Sequence, residues 1–133
     1  MNYSAKEIWT NILSILIGII TAAITFVPLS ILSLIIFGLI PFGDDLAANR
    51  SVYIIMLISI FISSGIGGYV TGLFIERNYL IYSFITGSIL TVLYLLLDDF
   101  RINNKIFYTI ALLIIMPSTL LGSCFPNRNK SKP

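Results

Sequence analysis

Four long stretches of the chain contain no aspartate, glutamate, lysine or arginine, and this feature constrains the fold more than any other. The stretches cover residues 8–40, 51–75, 78–97 and 106–127. Charged residues make up 11% of the 133 residues and hydrophobic residues 57%. A water-soluble domain of this size could not cover itself with a charged exterior, so the pattern predicts that lipid surrounds most of the chain.

The lengths of these stretches match the thickness of a bilayer. A hydrocarbon core about 30 Å thick is crossed by roughly 20 apolar helical residues, and the runs lack the alternation of membrane β-strands. We therefore predict an all-α membrane protein, a four-transmembrane-helix antiparallel bundle, with one domain over 1–126 and a basic polar tail over 127–133. The expected spans are 12–40, 52–75, 79–97 and 106–125.

The first expected span is longer than a membrane crossing needs, and it contains a proline. Over residues 12–40 a helix would measure about 43 Å at 1.5 Å per residue. Pro28 cannot donate to the helix ladder, and its ring collides with the preceding turn. The helix therefore either bends there and continues, or breaks and lies partly in the interface. We expect one long first helix that is kinked at Pro28.

Basic residues are divided unevenly between the two ends of the expected bundle. The end that holds both termini has Lys6, Arg77, Arg128, Lys130 and Lys132, and the other end has Arg50, Arg101 and Lys105. Because lysine and arginine in short loops favour the cytoplasm, we predict a multi-pass protein of the cell membrane with both termini cytoplasmic.

Small side chains recur every four residues in three of the spans. Lipid tails give no hydrophobic drive for helix association, so close approach over small residues is the main source of contact. Glycine also costs about 1 kcal/mol relative to alanine in a helix, so its repeated use needs a reason. The predicted helix-packing residues are Ser64, Gly68 and Gly72 in the second span, Ser83, Gly87 and Thr91 in the third, and Ser14, Gly18 and Ala22 in the first.

The turn between the second and third spans is very short, and we expect their small faces to meet. Three uses of these faces remain open. They could pack within one chain, form an interface between copies, or make a glycine-lined hinge or path.

The chemistry available inside the spans is limited to hydroxyl and amide groups. The chain has no histidine, which removes the usual general base and proton relay. Proton-coupled transporters rely on a buried Asp, Glu or His, and none is present in these stretches. We predict that the protein is not an enzyme, that it needs no cofactor, and that the hydroxyls serve as packing contacts or line a hydrophilic path.

Two pairs of aspartates at the end opposite the termini are the remaining candidates for binding chemistry. They are Asp44, Asp45, Asp98 and Asp99. Four carboxylates brought together could gather a hard cation such as Ca²⁺ or Mg²⁺ through oxygen. Solvated loop acids that begin or end helices are the alternative. The sequence therefore predicts a possible outer acidic cluster and leaves the metal unknown.

Residues 67–72 read G-G-Y-V-T-G, and after a short charged turn residues 82–87 read Y-S-F-I-T-G. This pattern resembles that of small uncharacterised prokaryotic four-span membrane proteins, in which a G-G-aromatic-x-x-G second helix precedes a glycine-containing third helix. The resemblance covers spans two and three. It implies a bacterial or archaeal membrane location and no particular activity.

These features favour a non-catalytic integral membrane protein. The first hypothesis is an accessory or structural subunit that packs through small-residue helix faces with a larger membrane complex or its own copies. The alternatives are a small oligomeric transporter or channel, and a lipid-binding or immunity-type protein that recognises a partner at the Asp-rich loops. The expected partners are the lipid bilayer and other membrane subunits or copies of the chain, with no nucleic acid.

Overall fold

The computed structural model describes residues 5–39, 45–75, 78–96 and 105–128, and the chain there is almost entirely helical. The helices are α1 (Ala5–Leu39), α2 (Asp45–Phe74), α3 (Tyr79–Leu96) and α4 (Lys105–Arg128). Each of the four is long and apolar enough to cross a membrane, and no strand occurs within these ranges. The prediction of an all-α membrane protein with four spans is confirmed.

Three helices extend further than the predicted spans. α1 begins at Ala5 and α2 at Asp45, so that residues 45–50, expected in a loop, form the first turns of α2. α4 continues to Arg128, so the expected tail begins later. Hydropathy indicates where the chain leaves the hydrocarbon. A helix can continue past that point into the headgroup region, because charged side chains do not prevent helix formation there.

Helix α1 passes through Pro28 without a break. It is 35 residues long, which corresponds to about 52 Å at 1.5 Å per residue, well beyond the hydrocarbon thickness. This confirms the single long helix over the broken one. The kink at Pro28 stays a prediction.

The second helix occupies the centre of the bundle. It packs most extensively against α4, then against α1, and less against α3. α3 contacts all three other helices, whereas α1 and α4 do not touch one another in the described part of the chain. The order of the helices in space therefore differs from their order in the chain. α2 lies between α1 and α4, and α3 packs against all three.

Asn78, the residue that directly precedes α3, has a left-handed conformation. Asn78 has φ of 58°, a region that asparagine tolerates better than most residues. Its carbonyl oxygen accepts a bond from the backbone N–H of Ile81 at 2.9 Å, which is the first contact of the α3 ladder. Asn78 therefore starts the third helix.

The described part of the molecule has hydroxyl groups inside and large apolar side chains outside. Its buried polar residues are Ser14, Ser59, Ser63, Ser64, Thr71, Ser83, Thr86, Ser118, Thr119 and Ser123, and its buried apolar residues are Ala22, Ile60, Ile75, Ala111 and Ile115. Leucine, isoleucine and phenylalanine side chains cover the outer faces of all four helices. This distribution of polar and apolar side chains is the reverse of that in a water-soluble protein. It is the distribution expected when lipid surrounds the helices.

The interior is divided into two layers along the bundle. Toward the end opposite the termini, Ile60, Ala111 and Ile115 form an apolar cluster, against which Phe26, Leu57, Leu90 and Tyr94 pack. Toward the end with the termini, hydroxyl and glycine residues replace these larger groups. The predicted helix-packing residues lie mostly in this second layer.

Candidate functional site

The closest approach between helices is where α2 meets α4. A Cβ atom added to Gly68 would collide with the carbonyl oxygen of Thr119 and would lie 2.7 Å from its Cα. One added to Gly72 would lie 2.9 Å from the Cα of Ser123. Non-bonded carbon atoms normally stay about 3.5–4.0 Å apart, so only glycine allows the two backbones this separation.

The α2–α4 contact has a glycine on each side. A Cβ on Gly122 of α4 would collide with the carbonyl oxygen of Gly65 and approach the Tyr69 nitrogen to 3.0 Å. The two helices therefore fit over a distance of about two turns with only glycine and small hydroxyl residues between them. We call this contact the α2–α4 seam; it consists of Gly65, Gly68, Gly72, Ser118, Thr119, Gly122 and Ser123.

A second close approach joins α2 to α1 through a different face. A Cβ on Gly67 would lie 2.8 Å from the carbonyl oxygen of Gly18 and 2.8 Å from the Cβ of Ala22. A Cβ on Gly18 would in turn lie 2.8 Å from the carbonyl oxygen of Gly67 and collide with the Thr71 hydroxyl. Gly67 therefore allows α1 to approach α2 closely, and the next residue, Gly68, allows the same for α4.

The expectation that the small faces of the second and third spans meet is wrong. The face of α2 that carries Gly68 and Gly72 lies against α4, and Gly87 of α3 also lies on α4, with its added Cβ 2.5 Å from the Thr119 hydroxyl oxygen. A short turn fixes which helices are neighbours in the chain, but it does not fix their rotation about their own axes. α4 carries its own small row, and that row is what α2 and α3 both contact.

The predicted small-residue rows included no residue of the fourth span, although Ser118, Thr119, Gly122 and Ser123 of α4 lie at these close contacts. Ser118 with Gly122, and Thr119 with Ser123, repeat the four-residue spacing used to select rows in the other spans. The signal was therefore present in the sequence.

Hydroxyl groups bring all four helices together in the layer near the termini. The Thr71 hydroxyl of α2 bonds to the Gly67 carbonyl at 3.0 Å and lies 3.4 Å from the Thr86 hydroxyl of α3. It also faces Gly18 of α1. Thr119 of α4 likewise contacts two helices, because it faces Gly68 of α2 and Gly87 of α3. Two threonines thus each contact two other helices.

Besides the Thr71–Thr86 contact, other side-chain hydrogen bonds link different helices in the described part of the chain. The Ser118 hydroxyl donates to the Phe61 carbonyl at 2.5 Å, and the Asn127 amide donates to the Gly72 carbonyl at 3.2 Å. The Asn11 amide donates to the Tyr82 hydroxyl at 2.8 Å, joining α1 to α3. The bonds from Ser118 and Asn127 support the α2–α4 seam.

The other predicted packing residues have the small, buried character expected of them. Ser14 and Ser64 are buried and donate to the carbonyls of Thr10 and Ile60. Thr91 is half-buried and donates to the carbonyl of Gly87. Ala22 is buried against Gly67, and Ser83 is fully buried.

The predicted outer acidic cluster is not described by the structure. Asp44, Asp98 and Asp99 lie outside the described residues, and Asp45 begins α2 without a described side chain. Within the described ranges, no three His, Cys, Asp or Glu residues lie together in a way that could hold a metal ion. Cys124 is a free, half-buried thiol in α4.

The arrangement is suited to holding helices together. Thr71, Thr86 and Thr119 have no exposed surface, and each donates to a carbonyl of its own helix. A polar substrate could not reach these hydroxyls without separating the helices, and their donor protons are already used.

Comparison with known proteins gives no match: no family model, no curated protein and no solved structure matches this chain. The family resemblance of spans two and three therefore stays a prediction.

Proposed function

We propose that the protein is a non-catalytic accessory or structural subunit of the cell membrane, which packs against a larger membrane complex or its own copies. The observation that carries this proposal is the contrast between the interior and exterior of the bundle. Glycine and hydroxyl groups inside are consumed by contacts between its own helices, and broad apolar faces remain outside.

In this proposal the small residues hold the chain's own helices together and do not form the surface that meets a partner. Neighbouring helices of the same chain occupy the space beside Gly18, Gly67, Gly68 and Gly72. These glycines therefore cannot contact another protein. A partner would instead meet large side chains. The first helix offers the longest such surface, because it is the longest of the described helices and exposes Leu16, Ile20, Ile24 and Val27 along one side.

A transporter or channel is the second candidate, and the hydroxyl-rich interior is what favours it. A path through one copy would have to pass Thr71, Thr86 and Thr119, whose side chains are enclosed. The helices beside them approach to backbone contact at Gly18 and Gly68. A path would therefore have to form between copies, where apolar side chains dominate. This supports the subunit over the transporter. Recognition of a partner at the outer aspartates is the third candidate.

The test is the size of the assembly in native lipid. The full chain with an affinity tag is extracted into lipid nanodiscs directly from the cells that produce it naturally, and the mass of the purified particle is measured. We expect a defined stoichiometric complex of this chain with other membrane subunits, or a fixed number of its own copies. A single copy per disc under these conditions would contradict the proposal.

A pair of matched variants separates a specific surface from general stickiness. Ile20→Ala and Ile24→Ala together shorten two exposed side chains on α1. Ile81→Ala and Ile85→Ala make an equal change on α3, where both side chains are also exposed. If α1 is the surface used, only the first pair reduces the assembly. Equal effects of both pairs would point to a contact that does not depend on α1.

The orientation is a separate part of the proposal. With Cys124→Ser as background, single cysteines at residue 2 and residue 103 are treated with a membrane-impermeant thiol reagent on intact cells. We expect labelling at residue 103 alone. Labelling at residue 2 on intact cells would reverse the assignment of both termini to the cytoplasm.

A further inference from the structure

The contacts between α2 and α4 fix the register of these two helices. Gly68 lies beside Thr119. Further along the bundle, Ile60 shares an apolar cluster with Ala111. The offset is 51 residues in both pairs, so α2 and α4 run in the same direction and stay in step. The levels at which they begin can therefore be compared.

α2 reaches beyond α3 and α4 at the end opposite the termini. α4 begins at Lys105, which this offset places nine residues after the first residue of α2, Asp45. α2 therefore projects about 14 Å beyond α4 at 1.5 Å per residue. α3 ends at Leu96, shortly after Tyr94 has packed against the cluster that contains Ile60.

The last part of α1 projects beside α2. α1 is antiparallel to α2, and its Phe26 packs against the cluster that contains Ile60. Counted from this contact, α1 reaches the level at which α4 begins near Leu32 and continues to Leu39, about 10 Å further. Residues 33–39 read S-L-I-I-F-G-L and carry no charge.

The projecting ends of α1 and α2 lie outside the hydrocarbon core. The uncharged stretch of α4, residues 106–127, measures about 33 Å and already crosses a core about 30 Å thick. Asp98, Asp99 and Arg101 follow α3 in the sequence, and charged side chains are costly inside the bilayer. Lipid tails therefore do not cover the parts of α1 and α2 beyond the start of α4.

The two projecting helices differ in chemistry. α2 has Asp45 and Arg50 in its first two turns. On α1, the side chains of Ile31, Leu32 and Ile35 are large, apolar and exposed. Contiguous apolar groups that are exposed outside the lipid mark a contact site.

We propose that the projecting end of α1, residues 31–39, is the contact through which two copies of the chain associate. Copies inserted in the same direction project to the same height, and a two-fold axis along the membrane normal places equal residues opposite one another. The apolar end of α1 then meets its own copy, and the charged turns of α2 remain outside the contact. The inference rests on the proposed function, for which it names the partner and the surface.

Cysteine cross-linking tests the contact directly. With Cys124→Ser as background, Ile31→Cys and Ile35→Cys are compared with Leu13→Cys, an exposed position five turns before Ile31 on the same face of α1. A disulfide between copies requires Cα atoms within about 7 Å. After oxidation of membranes from the natural cells, we expect a linked dimer from the two projecting positions and monomer from Leu13→Cys. Monomer from all three variants, or as much dimer from Leu13→Cys, would overturn the inference.

A charge substitution provides the second test. Ile35→Lys places an unpaired charge in the contact, so we expect the chain to stay in the membrane and the fraction of dimer in native lipid nanodiscs to fall at least about tenfold. Loss of the chain from the membrane would place Ile35 in the hydrocarbon, and an unchanged dimer fraction would show that the surface is not used; either result overturns the inference. A complex with other subunits that gives no disulfide between copies would overturn it and leave the proposed function intact.

Discussion

The substitution of single glycines in α2 by alanine tests the packing of the bundle most closely. Gly68 and Gly65 lie three residues apart in the same helix, and both face α4. At Gly68 the added methyl group would meet backbone, 2.7 Å from the carbonyl carbon and the Cα of Thr119. At Gly65 it would lie 3.2 Å from the Ser118 hydroxyl oxygen and 3.8 Å from the Ser118 carbonyl oxygen, without a collision with backbone. The same chemical change therefore enters two different environments.

The magnitudes follow from these distances. Relief of the contact at Gly68 requires the two backbones to separate by roughly 1 Å, and overpacking of this kind typically costs about 1–3 kcal/mol. Alanine returns about 1 kcal/mol of helix propensity at either position. We expect Gly68→Ala to destabilise the protein and Gly65→Ala to leave it unchanged or slightly stabilised, with a difference between the two of about 2 kcal/mol.

The single cysteine provides the assay. Cys124 is half-buried in α4, next to Ser123 of the α2–α4 seam, and becomes available to a thiol-reactive fluorophore when the bundle opens. The temperature of half-maximal labelling in mild detergent is measured for the wild type and both variants. A difference of about 2 kcal/mol corresponds to roughly 4–16 °C, on the scale established for small domains. Equal temperatures for the two variants, or a more stable Gly68→Ala protein, would refute the account of the seam.

Three further predictions concern other contacts of the bundle. Ser118→Ala removes the bond to the Phe61 carbonyl and is expected to cost about 0.6 kcal/mol, at most about 1.7 kcal/mol, in the same labelling assay; a stabilised protein would contradict this. Asn127→Ala removes the bond to the Gly72 carbonyl and should leave the fold intact but raise amide hydrogen exchange near the end of α4; unchanged exchange there would show that the bond contributes nothing. Asn78→Ile places a β-branched residue at φ of 58° and is expected to cost about 1–2 kcal/mol, whereas Asn78→Gly accepts the same φ and should cost less, so equal losses would argue against backbone strain at this turn.

The overall architecture could be predicted from the sequence because it depends on one strong signal. Uncharged runs of about 20 residues have few solutions other than membrane-spanning helices, and the four helices lie where those runs lie. The ends of the helices were predicted less well. Residues 45–50 include Asp45, Asn49 and Arg50, so hydropathy placed them outside a span, although nothing in their composition prevents them from extending the helix.

The small residues could be identified from spacing, but their neighbours could not. The positions of Gly18, Gly68 and Gly87 at close contacts follow from the cost of glycine in a helix, since such a residue needs a packing reason. Which helix each one faces depends on the rotation of all four helices together. The rows in α2 and α4 match over Gly68–Thr119 and Gly72–Ser123, and this match is a property of two distant segments that no local pattern contains.

The central claim is that lipid surrounds this chain and that its polar groups are turned inward. The most direct measurement is the behaviour of the full chain when membranes are washed with alkaline carbonate and detergent is then withdrawn. The account predicts that the protein stays with the membrane through the wash, and that after purification it aggregates once detergent is removed. A protein that leaves the membrane and remains dispersed and helical in plain buffer would contradict the account.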